Sequence, residues 1–81
     1  MGLFPDEVKA IYAAREKALD ALKAKGAVVV QDLEALDRLG RFTVADTLWS
    51  SCDAEARDAL LHDDHHSVRS AARLALFQSL G

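Results

Sequence analysis

Five consecutive residues, His62-Asp63-Asp64-His65-His66, hold all three histidines of the chain beside two carboxylates. Imidazole nitrogen and carboxylate oxygen are ligands that zinc or nickel accepts. His62 and His66, four apart, would share one face of an unbroken helix. The flanking pattern predicts a helix break here instead, which would spread the two rings. Zinc sites of the finger kind also bring a second ligand pair, whereas Cys52 is the single thiol. The simpler expectation is electrostatic. His62 closes one helix and Asp63 or Asp64 opens the next, each where the helix dipole favours it. No cofactor is expected, and His62 and His66 are the candidate ligands should a metal bind. A pH-sensing role is the remaining use of these rings.

Arginines give a second constellation. Arg69 and Arg73 are four apart on one helical face, and Arg57 on the preceding helix is expected nearby. Together they suit an acidic partner or a phosphate, and the large apolar residues near the ends, Phe4, Phe77 and Leu80, are expected to complete a dimer or partner interface. The plainer alternative is a solvated face whose surface ion pairs contribute little. Catalysis is not expected. Cys52 falls on an apolar stripe beside Trp49, where a thiol is usually inert, and the four glycines form no phosphate loop.

Residues 32–51 have the lengths of a helix-turn-helix, with Leu39-Gly40 as its turn. The second helix would then present Asp46, Thr47, Ser50 and Ser51, with only Arg38 and Arg41 basic nearby. Base edges and phosphates are normally met by Arg, Lys, Asn or Gln, so DNA binding is the alternative and not the first reading.

The elements that position these groups follow from apolar spacing. Phe4-Pro5-Asp6 opens helix one, with proline at a first helical position and acids at the positive end. Val8, Ile11, Tyr12, Arg15, Leu19 and Leu22 recur at three- and four-residue steps, and Gly26 stops the helix. Ala27 to Val30 is either a buried connector or the first turn of helix two. Helix two is predicted from about Gln31 to Leu39, ended by Gly40. Thr43-Val44-Ala45-Asp46 reads as a capping box opening helix three, whose inner face is Ala45, Leu48, Trp49 and Cys52. Asp53 caps helix four, which carries Ala56, Ala59, Leu60 and Leu61. Helix five carries Val68, Ala71, Ala72, Ala75, Leu76, Phe77 and Leu80. The expected fold is all-α, a compact bundle of four to five short helices in one domain over residues 1–81. Its core is expected around Trp49, Phe42, Tyr12, Leu60 and Leu76.

From Leu60-Leu61 through Asp63-Asp64 and Val68-Arg69 to Ala71-Ala72, Leu74 and Leu76, the chain resembles one HEAT-type helical repeat. The resemblance covers residues 54–80. It implies an Asp-capped hairpin and, from what stacked hairpins do in that family, a surface for protein or nucleic-acid partners.

Eighty-one residues bury only about 60–65% of their unfolded surface, so each apolar position counts. A net charge of −3 argues against a phosphate-binding surface. No run approaches the ~18 apolar residues that a membrane span needs. Met1-Gly2 resembles a myristoylation start, but Asp6 stands where Ser or Thr belongs. A lone cysteine fits a reducing, cytoplasmic setting. The expected function is therefore a small, non-enzymatic protein–protein interaction module. It would act as an inhibitor or adaptor of a larger complex, of the kind phages and plasmids encode, with a homodimer possible. The alternatives are a helix-turn-helix DNA-binding regulator and a metal-binding helical protein using the histidine cluster.

Overall fold

Leu19, Leu22, Val28, Leu33, Val44, Trp49, Leu60 and Val68 meet in one apolar core, to which every helix contributes at least one side chain. The computed structural model of the chain describes residues 6–80. Among them run five α-helices: α1 (Asp6–Lys25), α2 (Val30–Glu34), α3 (Arg38–Thr47), α4 (Ala54–Leu61) and α5 (His66–Leu80). A single 3-10 turn, Trp49–Ser51, joins α3 to α4. The architecture is the all-α bundle expected, with α5 packed against both α3 and α4.

Local chemistry explains most boundaries. α1 has Asp6 and Glu7 in its first turn and Lys23 and Lys25 in its last, matching its dipole. Phe4 and Pro5, expected to open it, lie outside the described residues, as does Gly81. Gly26 ends it at φ +73°, and its N–H bonds back to the Leu22 carbonyl at 2.9 Å. The valines resolve as both alternatives at once. Val28 is a fully buried connector, and Val30 begins α2. The connector also has a partner that the sequence did not suggest. The Val28 N–H donates to the Ser51 carbonyl at 2.8 Å, and its carbonyl accepts from the Asp53 N–H at 3.1 Å. One parallel bridge between Val28 and Cys52 therefore satisfies this backbone.

Two boundaries differ from expectation. Helix two stops at Glu34, so Leu39 and Gly40 belong to the first turn of α3. The reason is Asp37, whose Oδ1 accepts from the Gly40 N–H at 2.8 Å and caps α3 six residues before Thr43. Thr43 is consequently interior, its hydroxyl donating to the Leu39 carbonyl at 2.9 Å, and it caps nothing. Gly40 fits because a Cβ there would stand 3.1 Å from Asp37 Oδ1 and from Leu36 Cβ. Asp53 caps α4 as expected, accepting from the Ala56 N–H at 2.8 Å.

The core also differs at its ends. Trp49 and Leu60 are buried and Phe42 is partly buried, but Tyr12 and Leu76 are on the surface. Twenty residues make α1 about 30 Å long. The molecule is only 26 and 21 Å across its two shorter directions. Of α1's apolar stripe only Leu19 and Leu22 are buried, while Ile11 and Tyr12 are exposed. Similarly α5, with 15 residues, outruns the eight of α4, so its last turns lack a neighbour.

Candidate functional site

The α4–α5 turn is built around Asp63. Its Oδ1 accepts from the His65 N–H at 3.0 Å, which shapes the turn. Its Oδ2 accepts from Arg41 Nε of α3 at 2.6 Å, and its carbonyl accepts from Arg69 Nη1 at 2.5 Å. Burial pushes the Asp63 carboxyl upward, but the bonds from Arg41 and the His65 N–H outweigh it and hold the group below the ordinary carboxylate value. The sequence predicted Asp63 or Asp64 as the cap of α5. The structure puts His65 at that position, since the first helical bond runs from the Arg69 N–H to the His65 carbonyl at 3.1 Å. Asp63 braces the turn instead, and Asp64 is exposed.

The three histidines do not act together. His62 turns back along α4, its Nδ1 2.9 Å from the Asp58 carbonyl and 3.3 Å from the Asp58 carboxylate. His66 is exposed and stacks on His65 at 5.2 Å between ring centroids. His65 Nε2 lies 2.9 Å from Arg38 Nη1, and its Nδ1 lies 2.8 Å from the Ser67 hydroxyl. A guanidinium can only donate, so Nε2 must be the acceptor and Nδ1 carries the hydrogen. That tautomer donates to Ser67 Oγ, which rules out the 3.3 Å approach of the Ser67 N–H to Nδ1 as a hydrogen bond. Desolvation first, then the Arg38 charge and the neighbouring His66, push the His65 pKa down; Asp63 opposes them. Among the described residues no three His, Cys, Asp or Glu side chains converge so as to hold a metal ion.

The arginine row is divided by the structure. Arg57 lies over Trp49, 5.3 Å from the ring centroid, with its Nε donating to the Trp49 carbonyl at 3.2 Å. Arg69 is spent on the Asp63 carbonyl. Arg73 is exposed on α5, four residues before Phe77 and seven before Leu80, so these three share a face. Phe77 and Leu80 are each 79% exposed, and Leu74 and Leu76 are exposed around them. Cys52 is buried, with its thiol pushed up to about 11 chiefly by desolvation, and its Sγ donates to the Leu48 carbonyl. It is a poor nucleophile.

The helix-turn-helix segment is also rearranged. Its turn falls at Ala35–Asp37, and Asp46, Thr47 and Ser50 are exposed, without a basic residue among them. Arg41 is committed to Asp63 and to the Leu36 carbonyl, the latter at 3.0 Å. Arg38 faces His65. Sequence reasoning noticed both arginines only as sparse DNA contacts. The cue it missed is the Asp37-x-x-Gly40 cap, which starts α3 early and turns Arg38 and Arg41 toward the histidine turn. The surface recesses found on the molecule are open to solvent. No protein-family model, curated protein or solved structure matches this chain.

Proposed function

We propose that this chain is a non-enzymatic helical module that binds another protein, acting as an adaptor or inhibitor of a larger complex. The observation that carries this reading is the end of α5. Leu74, Leu76, Phe77 and Leu80 fall within one broad arc of the helix, and all are exposed. An apolar stripe of that width on a helix normally faces a core or a partner. A small domain rarely leaves such a patch uncovered unless something docks there. Arg73, on the Phe77 side, supplies a polar rim of the kind interfaces favour.

Other features support the same reading. The one thiol is buried and weakly acidic, and the surface recesses are open, so the chain offers poor ground for covalent chemistry. The tie between Asp63 and Arg69 joins two of the residues that carry the HEAT-type resemblance, and repeats of that type present helical faces to partners. A single buried cysteine suits a cytoplasmic setting. No described helix is long and apolar enough to cross a membrane.

Affinity capture from the source cells, with wild type and Phe77→Ser/Leu80→Ser side by side, tests the proposal. The expected result is a protein held by the wild type and lost from the equally helical double variant. Capture that ignores both substitutions refutes it. Sedimentation velocity of the two proteins shows whether a second copy is the occupant. Salt-sensitive binding to duplex DNA, with a slope worth several phosphates, would favour the regulator instead.

A further inference from the structure

Where α3 meets the start of α5 there is an open recess of about 320 Å³, lined by Arg38, Leu39, Phe42, His65 and Ser67. Two parts of its lining are only partly engaged by the fold. Leu39 is 47% exposed although the adjoining Gly40 and the nearby Leu36 are buried. Arg38 has no carboxylate within ion-pair distance among the described residues, and its hydrogen bond goes to a neutral ring nitrogen of His65. Arg15 and Arg41, by contrast, close on Asp37 and Asp63.

The charge around the recess is one-sided. The groups facing His65 are Arg38 from α3, and His66, Arg69 and Asp63 from its own turn and helix. Asp63, the one acid of that set, is already held by Arg41. An acidic protein thus keeps a cationic corner with an apolar floor.

We propose that this recess is a socket for an acidic–apolar segment of a protein partner. An aliphatic or aromatic side chain would rest on Leu39 and Phe42, and an adjacent Asp or Glu carboxylate would meet the Arg38 guanidinium. This rests on the reading of the chain as a protein-binding module and adds the partner's chemistry to it. The planar fork of Arg38 matches a carboxylate, and a charge-assisted bond is roughly twice as strong as a neutral one. Arg38 would therefore exchange His65 for the ligand. His65 Nε2, released and now near a carboxylate, takes up a proton more readily. A nucleic-acid phosphate would also meet Arg38, but it would leave Leu39 and Phe42 uncovered, and the chain carries a net charge of −3.

Peptide-phage selection against the full chain, followed by titration of the synthesised winner, tests the socket. The expected motif has Asp or Glu within two positions of Leu, Ile, Phe or Trp. Arg38→Glu and Leu39→Asp, both at exposed positions, should each weaken that peptide at least ten-fold with helicity unchanged. Phe77→Ser should leave it unaffected. The His65 NMR titration should move to higher pH when the peptide is bound, a change that purely apolar docking would not cause. A winning motif without an acid overturns the socket. A peptide that ignores Arg38→Glu and Leu39→Asp but is lost with Phe77→Ser also overturns it, while leaving the α5 reading standing. Duplex DNA binding that Arg38→Glu abolishes replaces the peptide with a nucleic acid.

Discussion

Arg41 and Asp63, 22 positions apart in the chain, are joined by a 2.6 Å bond that locks α3 to the α4–α5 turn. The Asp63 side chain is 9% exposed and that of Arg41 25%, so water screens the pair only partly. Hydrogen bonds to charged groups contribute about 1.5–3 kcal/mol, more than an exposed ion pair. Asp63→Ala should therefore cost about 2–3 kcal/mol in urea unfolding, since it also frees the His65 N–H. A double-mutant cycle with Arg41→Ala should show coupling of at least about 1 kcal/mol. Coupling near zero would make the pair incidental.

The His65 position predicts how stability depends on pH. Its folded pKa lies below the ordinary histidine value of 6.5. Below about pH 6.5 the unfolded chain binds a proton that the folded chain resists, so folded stability declines as acid is added. The contribution is complete above 6.5 and is lost as pH falls through that value toward the depressed folded one. The carboxylates act lower. Asp37, held down by its bond from Arg15, and Asp32, held down by that from Lys25, keep their stabilisation above about pH 4 and lose it as pH falls further. Thermal melts from pH 8 to 5 should show a lowered midpoint in the wild type and a flatter profile in His65→Gln. Parallel profiles would contradict the assignment.

Gly40 is predicted to resist replacement although it sits in a helix. Alanine is worth about 1 kcal/mol more than glycine in a helix interior. Against that, the new methyl would stand 3.1 Å from Asp37 Oδ1 and from both Cβ and Cδ2 of Leu36. Asp37 is fixed by Arg15 and by the Gly40 N–H, and Leu36 is buried. Overpacking costs about 1–3 kcal/mol, so Gly40→Ala should be net destabilising by about 1 kcal/mol. A rise in melting temperature would show that Leu36 can move aside.

Trp49 combines a large buried ring with a buried indole N–H that has no hydrogen-bond partner among the described residues. Truncation to alanine should cost about 3–5 kcal/mol, as for large core aromatics. Trp49→Phe should cost clearly less, because it removes the unpaired donor along with part of the ring. Equal losses in the two variants, measured by denaturant unfolding, would mean that the N–H is satisfied in solution.

How far the sequence disclosed all this depends on the range of the interaction. α1 with its Gly26 stop and α4 with its Asp53 cap were legible because the signal and its target lie within four residues. Gly40 misled because a glycine stops a helix and equally permits close packing in a first turn; the choice was made by Asp37, an exposed acid among many. Thr43 and Asp46 matched a cap pattern that the earlier cap had already made unnecessary. The Arg41–Asp63 and Arg38–His65 pairs were invisible, since no local pattern links residues 22 and 27 apart. Tyr12 and Leu76 sit on correct stripes, but periodicity reports which side of a helix is apolar and not how far its neighbour extends.

That last point gives the α5 tail an unusual stability signature. Deleting a buried leucine side chain costs about 2–5 kcal/mol, and Leu60, with no exposure, should fall in that range when changed to alanine. Phe77 and Leu80 lie on an equally apolar segment, yet at 79% exposure they have little packing to lose. Phe77→Ser and Leu80→Ser should therefore change unfolding free energy by no more than about 0.5 kcal/mol each, as surface substitutions do. Their effect should appear instead as loss of the protein that the wild type captures from the source cells. Losses above about 2 kcal/mol would mean that α5 folds back onto the body in solution, and the exposed patch would no longer be there for a partner to cover.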